Sequence, residues 1–371
     1  MLRKLSLAVA LVATTLPALA APPAPPPLES YKLQALRDAA RASHPSLQAA
    51  RALVDAGRAQ ITSAGAYPNP EVEFLAGRTQ ARVPGVATGG AQSLSLTQRI
   101  DNPWQRDARI GAATSGLEAR QAEGRSLEVD LLARLDQRFF DLLRRQAEQR
   151  AASEDLSLAE QIRARVAVRV QTGEAPRYEL IKADTELLNA QKASESAILR
   201  VAQARAALRG LVGPSLPAEF EVDGSLASSP VVPSLEALRS EVLARNPELA
   251  RAAAEVRRAE RQLELERLRR HPELAVKVAE DRDVELRNSR IGVMAVVPLW
   301  DQRRGQVAEA GALLQKSRSD RESQELILLQ SLEASYRHYE IARNQVNALE
   351  GGILRAAEAA YHAGRAPLAS V

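Results

Sequence analysis

The residue types that usually carry chemistry are scattered in this chain. Its four histidines, His44, His271, His338 and His362, share no i, i+4 or His-x-His spacing, so adjacent imidazoles cannot build a metal site. There is no cysteine, which excludes disulfides, thiolate metal sites, thiol nucleophiles and lipid attachment through sulfur. No phosphate-binding glycine loop or nucleophile elbow occurs. Acidic residues are abundant, but they stand on helix-patterned stretches where paired carboxylates arise by chance. Asp281, Asp283 and Glu285 could bias cations; a solvated loop is the plainer reading. No enzyme and no cofactor are expected.

Length and periodicity carry more than side-chain chemistry. Trp104 to Thr172 contains no proline and only Gly111, Gly116 and Gly124 among its glycines. As a helix it would be about 100 Å long, well beyond an ordinary globular helix. Leu127, Leu131, Leu135, Phe139 and Leu142, then Leu158, Ile162 and Val166, mark its apolar seam. Aromatics are only 3% of the chain, so a thin core of helix-to-helix seams is expected. The net charge of +4 is mild and the charges are interspersed, which argues against a nucleic-acid surface.

Around this rod the chain reads in order. Residues 1–20 form a signal peptide: Arg3 and Lys4, an apolar run from Leu5 to Leu16, and Ala18-Leu19-Ala20 before the cut. No later window is long and apolar enough to cross a membrane as a helix. Residues 21–32 are expected to be a proline-rich tether with no fold of its own. Helical pattern runs from Leu33 to Ala66, broken at His44-Pro45. The period then changes to two. Val72, Phe74 and Ala76 alternate with glutamates, and Leu94, Leu96 and Ile100 alternate with polar residues, predicting a hairpin over about 70–100. Strands of about nine residues, apolar on one side, can cross a bilayer when tilted. A surface hairpin on a soluble domain is the other reading. The long helix (about 104–172) stops at Thr172-Gly173-Glu174-Ala175-Pro176, where Gly173 suits a left-handed cap and Pro176 the next first turn. A helix to Leu211 and a connector over 214–234 follow.

The chain then starts again. Leu33-Gln34-Ala35-Leu36-Arg37 recurs as Leu235-Glu236-Ala237-Leu238-Arg239, and His44-Pro45 as Asn246-Pro247, at an offset of about 202 residues. A second hairpin over about 272–299 and a second long helix over about 302–363 follow, then Gly364-Arg365-Ala366-Pro367. The two units therefore span 33–213 and 235–371. By the repeat, a further helix of about 35 residues is expected after Pro367, so the sequence is expected to be incomplete there. Four strands cannot close a barrel, whereas three chains would supply twelve. Trp104 and Trp300 hold matching places after each hairpin. They suit either an aromatic girdle at the membrane surface or packing at the strand-to-helix junction.

The signal peptide, the duplicated helix–hairpin–helix and the paired Gly-x-Ala-Pro turns resemble the TolC-type outer-membrane efflux factors. The missing acylated cysteine and the Asn/His-Pro-x-Leu entries are most similar to the heavy-metal and cation efflux branch. The resemblance implies a mostly α fold with a small β part. It implies a long coiled-coil tunnel across the periplasm and a homotrimeric twelve-stranded barrel in outer-membrane lipid. It implies a passive conduit of a tripartite system for metal cations or small toxic molecules. The turns Thr172, Gly173, Glu174, Ala175, Pro176 and Gly364, Arg365, Ala366, Pro367 would meet a periplasmic adaptor fed by an inner-membrane pump. The competing reading is a non-channel coiled-coil or adaptor protein of the envelope.

Overall fold

The computed structural model describes residues 29–80, 82–85, 87–226, 231–353, 355–356 and 359. The signal peptide and Gly364 to Pro367 lie outside them. The first unit runs β1 (Ser30–Lys32), α1 (Leu33–Ser43), α2 (Pro45–Gly65), β2 (Glu71–Thr79), β3 (Gly89–Ile100), α3 (Pro103–Gln171) and α4 (Arg177–Val212). After β4 (Glu221–Asp223) come α5 (Leu235–Arg245), α6 (Pro247–Leu268), β5 (Glu273–Arg282), β6 (Arg287–Val296) and α7 (Arg304–Ala348).

Three helix starts use one device, a polar residue followed by proline. The His44 ring accepts from the Ser46 N–H (3.2 Å), Asn102 from Trp104 (3.0 Å) and Asn246 from Glu248 (2.9 Å). The proline at the first helical position has no N–H to satisfy and its φ is already helical. In the first unit α2 and α4 both pack along α3, one above the other, as the lengths require. The seam between units is α3 against α6. There α3 buries small residues, Ala108, Ser115, Ala119 and Ser126, which lets the helices approach closely.

At that seam Glu248 accepts from the Arg251 guanidinium (Nε 3.0 Å) and from the Ser126 hydroxyl. The Arg251 bond, with Ser126 helping and burial opposing, holds the carboxyl below the usual range. A depressed folded pKa stabilises at pH above the unfolded value, and that contribution is lost as pH falls through the folded value. We expect acid to loosen the α3–α6 seam, by less than about 1 kcal/mol because the pair is partly solvated. Glu248→Gln should remove that acid step from hydrogen exchange around Ser126. Identical acid profiles for the two proteins would refute it.

Two expectations need correction. The 21–32 stretch is not all tether, because Ser30–Lys32 pairs in parallel with Glu221–Asp223 of the connector. Nor is the core everywhere thin. Leu36 and Ala40 of α1, Leu135, Phe139, Leu142 and Leu143 of α3, the end of α4, and Leu216, Phe220 and Val222 of the connector form one buried knot halfway along the rod. The second long helix, expected over about 302–363, is α-helical over Arg304–Ala348. It gives way at Ala348 to a π-helical turn, Leu349–Ile353, where Gly351 and Gly352 supply no side chains to hold the tighter α ladder. Further down α3, Leu158 and Ile162 are exposed, so that end of the apolar seam has no cover within the chain.

Candidate functional site

The hairpins join in one antiparallel sheet of order β2-β3-β5-β6. Its register sorts the side chains by face. Val72, Phe74, Leu94, Leu96, Ile100, Leu274, Val278, Ile291 and Val293 share one face, and all are exposed. The opposite face carries Glu71, Glu73, Ser93, Ser95, Arg99, Lys277, Asp281 and Arg290. Three carboxylates there meet a donor: Glu71 pairs with Arg99 (2.8 Å), Glu73 with Lys277 (3.4 Å), and Asp281 with Arg290 and the Ser93 hydroxyl (2.6 Å). A sheet with a bare apolar face and a charge-paired face is how a barrel wall divides lipid from lumen. In a soluble protein such an apolar face would be covered by other elements or a partner. Among the described residues no strand lies beside the outer edges of β2 and β6.

The helix end of the sheet is fixed by residues the sequence did not single out. Arg109 donates to both oxygens of Asp101 (3.0 and 2.7 Å) and through Nε to the Ala64 carbonyl (3.0 Å). Arg106 donates twice to the Gly65 carbonyl (3.1 and 2.8 Å) and stacks over Tyr67, 4.8 Å from the ring centroid. Two cations thus cap the negative end of α2, which ties it to α3 where the hairpin leaves. The Asp101 bond raises the Arg109 pKa against the effect of burial. In the second unit the corresponding joint is different. Buried Glu266 on α6 takes Arg303 and Arg269 (both 2.8 Å) and Gln262 (3.2 Å). Arg303 adopts a left-handed conformation (φ 50°), held by its N–H to Asp301 (2.9 Å).

Trp104 and Trp300 stand at this same end, 72% and 93% exposed, so neither packs inside the chain. The far end of α3 is a Schellman cap. Gly173 is left-handed (φ 82°), its N–H bonds Val170, and the Glu174 N–H bonds Arg169 (2.8 Å). Ala175 is buried, and Pro176 is the residue before α4 rather than inside it. Arg163–Asp184 (2.9 Å) and Arg169–Glu179 (3.8 Å) stitch the two helices above the turn. Of the other residues considered, His44 is a helix cap. Asp283 binds backbone N–H groups of its own turn, and Glu285 accepts from Ala87. Among the described residues no group of histidines and carboxylates could hold a metal ion.

The family model for outer membrane efflux proteins matches residues 36–214 and 238–370, both units of the duplication. The chain belongs to the outer membrane efflux protein family. The cobalt-zinc-cadmium resistance protein CzcC of Cupriavidus metallidurans is 28% identical over 333 residues, covering 89% of this chain and 78% of CzcC. The Campylobacter jejuni CmeC outer membrane channel superposes with a TM-score of 0.69 at 17% identity, over 91% of this chain and 78% of CmeC. CusC superposes with 0.68 at 18% identity, over 91% and 84%. These likenesses share the helical rod and barrel strands seen here. The resemblance drawn from the sequence holds: the chain is an outer-membrane efflux channel component, and the non-channel adaptor reading is not favoured.

Proposed function

We propose that three copies of this chain close a twelve-stranded barrel in the outer membrane above a helical tunnel in the periplasm. The signal peptide exports each copy. The carrying observation is the four-stranded sheet whose two faces sort lipid from water and whose two edges are open. An open edge in lipid leaves backbone groups unsatisfied, so β6 of one copy must meet β2 of the next. Trp104 and Trp300 would then sit at the periplasmic membrane surface. The turn Thr172–Pro176, with Gly364–Pro367 as its repeat, would meet the adaptor and, through it, an inner-membrane pump. Metal cations are the cargo favoured by the likeness to CzcC, and a conduit needs no site to bind them.

The repeat also implies a register for the new seam. Because Leu96 faces Val278 within the chain, Ala295 of one copy should face Ala76 of the next. The chain has no native cysteine, so Ala76→Cys with Ala295→Cys gives a clean test. The pair should link into covalent trimers that conduct ions in planar bilayers. Soluble periplasmic monomers, with no cross-link, would overturn the reading.

A further inference from the structure

On the lipid-facing side the charges are not distributed like those of the lumen. Counting in register along that face, the apolar band gives way toward the loops to Gln92, Arg282 and Arg287 in one row, with Glu280 below and Arg78 one row above. Arg282 and Arg287 are direct cross-strand partners, a like-charge pairing that repels unless an anion lies between. Glu280 is the carboxylate that serves this patch, and it is taken by Arg287 (2.7 Å). The nearby Asp283 is held by the backbone N–H groups of Glu285 and Leu286 (2.9 and 2.6 Å), and Glu285 by Ala87 (3.1 Å). Asp281 points to the other face, toward Arg290. Three guanidinium groups therefore face outward against one carboxylate, whereas Glu71, Glu73 and Asp281 on the inward face each meet a cation. At the opposite end of the same face there are no arginines; the tryptophans lie there.

An unmatched arginine on a lipid-facing wall is costly inside hydrocarbon and favourable only where an anionic headgroup meets it. From Leu274 to Arg282 the strand rises about 27 Å, which after tilting places these groups at the edge of the apolar band. The helices are on the other side of the membrane, so this edge is the exterior one. The guanidinium fork suits phosphate bidentately.

We propose that Arg78, Arg282 and Arg287 form a binding site for the phosphates of the outer-leaflet glycolipid, one site per chain on the outer rim of the barrel. The inference rests on the barrel reading above. Its occupant is the membrane's own phosphorylated lipid rather than free phosphate, because the arginines stand directly over the apolar band that would take the acyl chains.

The test uses the intact protein reconstituted in phosphatidylcholine vesicles containing a few per cent of bisphosphorylated or dephosphorylated lipid A. The readout is retention of each glycolipid on the re-extracted protein. Wild type should retain the phosphorylated form about 30-fold better, from about fivefold per unmatched arginine, falling with salt. Arg78→Gln with Arg282→Gln should abolish the difference, and Lys277→Gln, an inward cation, should leave it intact. Equal retention of the two lipids by inserted wild type would overturn the site. So would equal protection of the rim arginines from a guanidine-reactive reagent by inorganic phosphate alone. Failure to insert at all would instead sink the barrel reading.

Discussion

Phe139→Ala should destabilise the middle of the rod by about 3–5 kcal/mol, while the adjacent Phe140→Ala should cost under about 1 kcal/mol. The two rings lie edge to face, 5.4 Å apart, yet Phe139 is 2% exposed and Phe140 46%. Phe139 sits where α1, α3, the end of α4 and the connector converge, and it lies against Gly224, where even an added Cβ would come within 3.3 Å of its ring. Its removal leaves a cavity walled by separate chain segments. These cannot all collapse into it, because the 69-residue α3 runs straight through the knot. The loss should appear first as proteolytic cutting in the connector between Val212 and Leu235, with the barrel sheet unaffected. Equal sensitivity of the two variants would show that the knot does not hold the rod together.

That knot also shows how far the sequence could be read. Leu135, Phe139 and Leu142 announce themselves by helical spacing, because each turn of α3 returns to the same neighbour. The other half of the knot does not. Leu216, Phe220 and Val222 have no period, since the connector wraps the rod instead of running along it. The three-residue pairing of β1 with β4 joins residues nearly the whole first unit apart, and three residues are too few to alternate visibly. The membrane sheet was legible for the opposite reason. Each strand must be apolar on one side across the hydrocarbon band, so the period of two survives the charged rim and loops beyond it. Its order, with β3 joined to β5, followed from the duplication only once the two hairpins were seen to be neighbours.

The functional ends were unevenly legible. Gly173 was marked by its type, because the left-handed cap it adopts strongly favours glycine. Arg303 adopts a left-handed conformation without that mark, so nothing in its identity disclosed it. The rim arginines could be recognised only after register assigned each strand position to a face; Arg290, three residues from Arg287, points the other way.

The joint between sheet and rod gives the second large effect. Asp101→Ala should cost about 2–3 kcal/mol, because it leaves the Arg109 guanidinium half-buried beside the end of α2 with no carboxylate. The Asp101 side chain is only 4% exposed, so solvent does little to screen the pair. Arg109 would still reach the Ala64 carbonyl, and Arg106 would still hold Gly65, which is why the joint should loosen rather than come apart. The expected signature is faster hydrogen exchange at the C-terminal turn of α2 and noisier single-channel conductance, with the tip turn at Thr172–Pro176 unchanged. A double-mutant cycle with Arg109→Leu separates the pair from the helix cap. A coupling near zero would mean that Arg109 acts through the α2 carbonyls alone. The second unit solves the same problem with a carboxylate on α6 in place of the α2 carbonyls, gripping an arginine at the start of α7. Duplication has therefore kept the mechanical requirement, a rigid elbow where strand becomes helix, and not the residues that meet it. An elbow is needed there because a barrel wall tilted in the membrane must continue into helices that run down the tunnel. A buried, charge-assisted contact to an arginine, bidentate in the first unit and shared by two arginines in the second, fixes that change of direction.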